Sequence, residues 1–242
     1  MKPFIRLSAA SFLMLLPFFS CSEKDVVPIS DPLFRTYCIN EFDSNLDGKL
    51  SLAEAAAVKV ISCPQRGIVS LEGLQYFTSL RDLYCNNNQI EELDISHNTM
   101  LQRLGCQSNQ LKTLDVSNNP MLTHLVCEKN LLNDLDVTHN PSLKYLLCSD
   151  NRLEALDLSN NPELTYLWCW CNNLNELDVS KNPLLENLGC MFNQLKMLDL
   201  CHNKYLSFLD CTSNMSMNEV CICASHHLVS AKTDTHCNVI YK

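Results

Sequence analysis

The residues with the plainest chemical purpose stand in one short run: Asp43, Asn45, Asp47, Gly48, Lys49, Ser51 and Glu54. Oxygen-bearing side chains on alternate residues, followed by a glycine and then a glutamate, form a donor set for a hard cation, and calcium takes six to eight oxygen ligands. Asp43, Asn45 and Asp47 would supply side-chain oxygens, Lys49 its carbonyl, Ser51 a hydroxyl or a bridging water, and Glu54 both carboxylate oxygens. Ser51 and Glu54 also fit a capping box at the start of a helix, which leaves the Asp-Asn-Asp-Gly run unexplained. A lone loop of this kind points to a structural calcium ion rather than a switch, in the weak class of roughly 0.1 to 1 mM.

A second chemical position is Cys21. Lys2 and Arg6 precede an apolar run over residues 7–19, which is too short to span a bilayer comfortably and reads as a signal peptide over residues 1–20. Removing it leaves 16 basic against 27 acidic residues, a net of −11. Such a surface repels phosphate backbones and argues against nucleic acid as a partner.

No constellation for catalysis accompanies these residues. There is no Gly-rich phosphate loop, no Gly-x-Ser-x-Gly and no His-Glu-x-x-His. Glu128, Glu186 and Asp210 are the only acidic candidates near the aromatic positions described below, and no spacing marks two of them as a glycosidase pair. The expectation is therefore not an enzyme, with a carbohydrate-active hydrolase or a passive spacer kept as alternatives. Cys221, Cys223, His226, His227, His236 and Cys237 could be drawn as a zinc site, but Cys-x-Cys alternates across a strand, so a disulfide or plain packing is preferred.

The positions that vary against a fixed background are aromatic. Tyr145, Leu147, Tyr166, Trp168, Trp170, Met191 and Phe208, with Phe192 beside them, occupy outward places in a sequence that otherwise repeats. Tyr and Trp are enriched at binding hot spots, and a contiguous exposed apolar patch marks an interaction surface. The competing account is aromatic cross-strand packing for sheet stability. On one outward face, successive coils would set Tyr145, Trp168 and Met191 about 4.8 Å apart.

The elements that must present these residues follow from a repeat of 21 residues over 80–214. Leucine recurs at Leu80, Leu101, Leu122, Leu143, Leu164, Leu185 and Leu206, cysteine five places on from each, and asparagine three further, as at Cys106 and Asn109. Such strict periodicity is the signature of a solenoid, in which each coil offers the same residue to the coils above and below. Each unit holds two halves of similar grammar, Leu104-x-Cys106-x-x-Asn109 and Leu114-x-Val116-x-x-Asn119. Inward residues at period two predict a strand in the first half and a second strand-like face in the Leu-Asp-Val-Ser half. Asparagine at each bend can satisfy backbone groups left unpaired there. Seven coils would span roughly 34 Å.

The fold class expected is thus a mainly β solenoid with a small α-helical N-terminal cap. The division is 1–20 signal peptide, 21–32 tether, 33–66 cap, 67–214 solenoid and 215–242 C-terminal cap, with residues 238–241 as a last strand. Fifteen cysteines in an exported chain would ordinarily suggest disulfides, but the ladder cysteines point inward side by side, poorly aimed for bridging, and read as buried free thiols. The column Asp94, Asp115, Asp136, Asp157, Asp178 and Asp199 reads as local hydrogen bonding to Ser or Thr two residues on.

Four resemblances follow from the sequence. The 80–214 repeat resembles leucine-rich repeats, most closely the 21-residue type of some internalins in which cysteine replaces a strand leucine. That resemblance implies a curved solenoid and recognition of another molecule, without implying which; the partner expected is a protein or glycan ligand, bound by a monomer. The 43–54 run resembles an EF-hand loop, with residues 33–42 as the incoming helix and 52–61 as the outgoing one. Ser20-Cys21 resembles the lipobox of bacterial lipoproteins, and residues 22–25 look like the acidic export tag of Bacteroidetes-type surface lipoproteins. These imply an outer-membrane lipoprotein on the cell surface, touching the membrane only through Cys21. Ordinary secretion is the alternative.

Overall fold

Leucine and cysteine two residues apart face the same way, so the first half of each coil becomes a short strand whose inward pair is sealed from water. The computed structural model describes residues 25–222 and 228–241. Cys21 and the predicted signal peptide lie outside the described residues, as do Cys223, His226 and His227. The strands are β1 (Val60–Ser62), β2 (Asp82–Tyr84), β3 (Arg103–Gly105), β4 (His124–Val126), β5 (Tyr145–Leu147), β6 (Tyr166–Trp168), β7 (Asn187–Gly189), β8 (Met197–Asp199), β9 (Phe208–Asp210), β10 (Glu219–Ile222), β11 (Ser230–Lys232) and β12 (Asn238–Tyr241).

Nine of them form one parallel sheet in the order β1-β2-β3-β4-β5-β6-β7-β9-β11, always in the register Leu83↔Leu104↔Leu125. Cys63, Cys85, Cys106, Cys127, Cys148, Cys169, Cys190 and Cys211 stack beneath it, fully buried and unbridged. Burial pushes these thiols up, Cys106 and Cys148 to about 12, so they remain small neutral hydrophobes. The expectation of free ladder thiols holds.

The second half of the coil departs from expectation. It builds no ladder in the early coils; only β8 takes part in one, pairing with β10, which pairs in turn with β12 in a three-stranded parallel sheet. Its bends are carried instead by Asn98, Asn119, Asn140, Asn161, Asn182 and Asn203, all fully buried.

Helix α1 (Pro32–Phe42) caps the first coil. Asp31 accepts from the amides of Leu33 and Phe34 at its start, and Pro32 fits the first turn, where an N–H has no partner. Phe34, Phe42 and Phe77 cluster at centroid distances of 6.1 and 6.4 Å over the open apolar end, as terminal repeats require. The Tyr37 hydroxyl accepts the Ser62 amide at 2.8 Å, tying α1 to β1. Helix α2 (Leu52–Ala57) stops short of the expected residue 61, because Val58, Val60 and Ile61 are β-branched and Ile61 is claimed by the core opposite Leu83. The sheet thus begins with β1, inside the stretch assigned to the cap.

Residues 26–31, read from sequence as tether, are packed instead. Val26 bridges Ser51, and the Val27 amide donates to the Leu50 carbonyl at 2.9 Å. The Arg35 guanidinium grips the carbonyls of Ile29 and Ser30. Gly73, at φ 105°, leaves room for this strap, since a Cβ there would stand 2.9 Å from Ile29 Cγ1.

Candidate functional site

Because pairing is parallel and in register, the outward residues fall into straight rows across the sheet. One row runs Asp82, Arg103, His124, Tyr145, Tyr166, Asn187 and Phe208. The next runs Tyr84, Gly105, Val126, Leu147, Trp168, Gly189 and Asp210. A third, just past the strand ends, carries Glu128, Ser149, Trp170 and Met191, linked through bonds such as Asp150 N to Trp170 O at 3.0 Å. The expected neighbours Tyr145, Trp168 and Met191 therefore lie in three different rows. Tyr145 pairs with Tyr166, and Trp168 lies between Leu147 and Gly189.

The rings form a continuous run. His124 stacks on Tyr145 at 4.5 Å between centroids, Tyr145 on Tyr166 at 5.8 Å, and Tyr166 tilts against Trp168 at 5.3 Å. Such offset and tilted pairs add to what their area alone contributes. Tyr145 is 39% exposed, while Leu147, Tyr166, Trp168, Trp170, Met191 and Phe208 are half-buried. Phe192 is 55% exposed but belongs to the bend beyond the sheet, where its φ is 55°.

Glycine explains why Trp168 is less exposed than its outward position suggests. The indole lies over Gly189, where a Cβ would stand 3.0 Å from Trp168 Cδ1, and Tyr84 covers Gly105 in the same manner. An aromatic resting on a cross-strand glycine stabilises the sheet where a side chain is missing. The sequence signal was available, since Gly105 and Gly189 are the only glycines at outward positions in the repeat, but spacing alone did not reveal it.

Charges frame the rings. Asp82 and Arg103 pair at 3.1 Å at one end, and Asp210 and Lys232 at 3.4 Å at the other. Burial, followed by the nearby Arg103 and Lys144 cations, pulls His124 down, which favours a neutral ring in the stack. Burial pushes the Glu128 carboxyl up. It also raises the Tyr166 phenol, helped by the Glu128 charge. Glu128 and Asp210 belong to coils four steps apart, about 19 Å at the usual strand spacing. That is too far for the paired carboxylates of glycoside hydrolysis.

The 43–54 loop is folded around its own side chains. Asp43 accepts the amides of Asp47 and Gly48 at 3.2 and 2.8 Å, Asn45 that of Asp47 at 2.8 Å, and Asp47 that of Lys49 at 2.9 Å. Glu54 accepts from Ser44, Asn45 and Ser51, completing the capping box with Ser51. Burial opposes its ionisation, but hydrogen bonds from Ser51 and Ser44 outweigh it and pull the carboxyl down to about 2. Among the described residues no group of three or more His, Cys, Asp or Glu side chains is arranged to hold a metal. The oxygen chemistry suits calcium, and Glu54 would have to exchange Ser44 and Ser51 for the ion.

The fold is that of a leucine-rich-repeat solenoid. It matches the functional domain of InlJ from Listeria monocytogenes, which includes a cysteine ladder, with TM-score 0.65 and 28% identity over 85% of this chain. This chain spans 60% of that domain's length. An internalin C2 of the same organism matches with TM-score 0.75 and 19% identity, over 84% of this chain and 93% of that one. An internalin InlF matches with TM-score 0.71 and 17% identity, over 87% and 68% respectively. No family model and no curated protein matches the chain.

Proposed function

We propose that this protein is a surface-displayed recognition module that holds a protein or glycan ligand against the curved sheet. The observation that supports this best is the unbroken run His124-Tyr145-Tyr166-Trp168 on an outward face, flanked by half-buried Leu147, Trp170 and Met191. Rigid rings lose little rotamer freedom on binding, which suits them to anchor a partner. A protein and glycan array screened with the soluble chain from residue 22 should return a ligand. Trp168→Ala with Trp170→Ala should then weaken it by about 2 to 4 kcal/mol. Because Trp168 rests on Gly189, the double variant should also lose some stability while keeping its circular dichroism spectrum. Undiminished binding would remove the face from consideration, and an array that returns no ligand would leave the passive spacer.

Export as a lipoprotein anchored at Cys21 completes the proposal, and Cys21→Ala should release the protein from the membrane fraction. Calcium is proposed as a structural ion held by Asp43, Asn45, Asp47, Lys49, Ser51 and Glu54, where it would neutralise the carboxylates and stiffen the cap. Titration calorimetry should detect one ion per chain, lost in the Asp43→Ala, Glu54→Ala variant. No heat at millimolar calcium would refute the site.

A further inference from the structure

Of the two outward glycines on the sheet face, only one is filled. At Gly189 the three atoms nearest a Cβ would all belong to the Trp168 indole, at 3.0, 3.3 and 3.5 Å. At Gly105 the Tyr84 ring offers one atom, Cδ1 at 3.1 Å, and the next is Gln107 Oε1 at 3.4 Å. A depression of about 170 Å³ stays open there, walled by Tyr84, Arg103, Gln107, His124 and Val126. Its polar groups are unequally served. Gln107 Oε1 is buried and accepts no hydrogen bond among the described residues. An acceptor in that state carries a desolvation cost until a donor reaches it. Arg103 spends Nη1 on Asp82 at 3.1 Å, and a guanidinium has further donors in its fork. The Thr123 hydroxyl donates to the Gln102 carbonyl at 2.9 Å and therefore accepts from His124 Nδ1 at 2.8 Å. That leaves Nε2 of the neutral His124 ring as an acceptor.

A guest of this hollow must bring a donor for Gln107, an acceptor for Arg103 and an apolar group for Tyr84, Val126 and the Gly105 floor. A carboxylate supplies the acceptor alone, and it would face Gln107 Oε1 and the buried, unpartnered Asp82 Oδ1. An ammonium or guanidinium group would meet the Arg103 charge. An asparagine or glutamine side chain offers an amide without a methyl group. We propose that the hollow over Gly105 is a subsite for the acetamido group of an N-acetylated hexosamine in a glycan. Its N–H donates to Gln107 Oε1, its carbonyl accepts from Arg103, and its methyl group lies against Tyr84 and Val126. A neighbouring sugar hydroxyl is left to donate to His124 Nε2. The assignment rests on the reading that the sheet face binds a ligand and names that ligand's class. It does not involve Trp168 or Trp170, which lie further along the face.

Titration calorimetry of the full-length chain in a zwitterionic detergent tests this with triacetylchitotriose and with cellotriose, which carries hydroxyls in place of the acetamido groups. The acetylated trimer should bind about tenfold more tightly. Gln107→Met keeps the length of the side chain but removes the acceptor, and should raise the Kd of that trimer about tenfold. It should leave the thermal midpoint unchanged or higher, because the oxygen it removes has no partner. Gly105→Ala should fill the floor and erase the preference for the acetylated trimer. Trp168→Ala with Trp170→Ala should move its Kd less than about twofold, since additivity holds for sites without shared partners. Equal affinity for the two trimers, no heat up to about 10 mM of the acetylated one, or a Kd indifferent to Gln107→Met would overturn the assignment. A polypeptide ligand that weakens on Gln107→Met while neither trimer binds would put a protein segment in the hollow and overturn it as well. The binding role of the face is judged separately, by an array ligand and the Trp168, Trp170 variant.

Discussion

Each coil bends at two asparagines that look alike in the sequence, Asn130 and Asn140 for example, yet the chain employs them differently. Asn130 accepts the Leu111 amide at 3.1 Å and donates to the carbonyls of Cys106 and Cys127 at 3.1 and 3.0 Å. Its amide group is used at both ends. Asn140 donates to Val116 and Asn119 at 3.0 and 2.9 Å, but its Oδ1 is buried with no partner. The same holds at Asn98, Asn119, Asn161, Asn182 and Asn203. The first bend closes the strand half, where the register that aligns His124, Tyr145 and Tyr166 is set. The second follows a half that builds no ladder in most coils. The lesson is that a repeat concentrates its hydrogen bonding where a surface must be held in register.

The largest expected effect tests that asymmetry directly. Asn130→Ala strands the Leu111 amide in the interior and takes one of two asparagine donors from each of the Cys106 and Cys127 carbonyls, so it should destabilise by about 3 kcal/mol in denaturant unfolding. Asn140→Ala leaves the Val116 and Asn119 carbonyls their backbone donors, the Asn119 and Leu122 amides, and removes an unmatched oxygen, so it should cost less, about 1 kcal/mol. A larger loss for Asn140→Ala would invert the ranking and sink the distinction. A chemical readout comes next: at pH 8 a thiol reagent should leave the ladder cysteines untouched in the native chain while labelling half-buried Cys171. Rapid native labelling at Cys127 or Cys148 would mean that the strand half opens easily.

The smallest effect concerns the acidic column of the second half. Ser and Thr hydroxyls and amides two residues on hold Asp94, Asp115, Asp136, Asp157 and Asp178 below their ordinary value of 3.8. A depressed folded value contributes stability that is present above 3.8 and lost as the pH falls through the lowered value. Carboxyl titration by NMR should therefore place these midpoints under 3.8, and Ser117→Ala should return Asp115 toward it. Midpoints at or above 3.8 would show that stacked-charge repulsion dominates instead.

Much of this was legible in the sequence. The solenoid, its inward leucine-cysteine pairs and the outward aromatics follow from a period of 21 and from strand alternation. What the sequence concealed depends on partners from other coils. Asn130 and Asn140 read alike because each lies three residues after a buried Cys or Val, and only cross-coil donors tell them apart. The row that pairs Tyr145 with Tyr166 needs the register as well as the period. Val60 to Ser62 hid as a helix end because alanines at 55 to 57 precede it, while the loss of helix lies in the branched residues beyond. The strap over residues 26–31 has no repeat to announce it. Its signals are Gly73, where only glycine fits beneath Ile29, and Asp31, which serves both α1 and the amides of Val69 and Ser70.

That strap has a mechanical consequence. Tension applied to the chain ahead of residue 26 enters the folded body through the bond from Val27 to Leu50 and the Arg35 grip on Ile29 and Ser30. Load therefore reaches the 43–54 loop and α1 before it reaches the coils that carry the rings. The first element to yield under force should be the cap, and the sheet that carries the rings would stay unstrained until the cap had come undone.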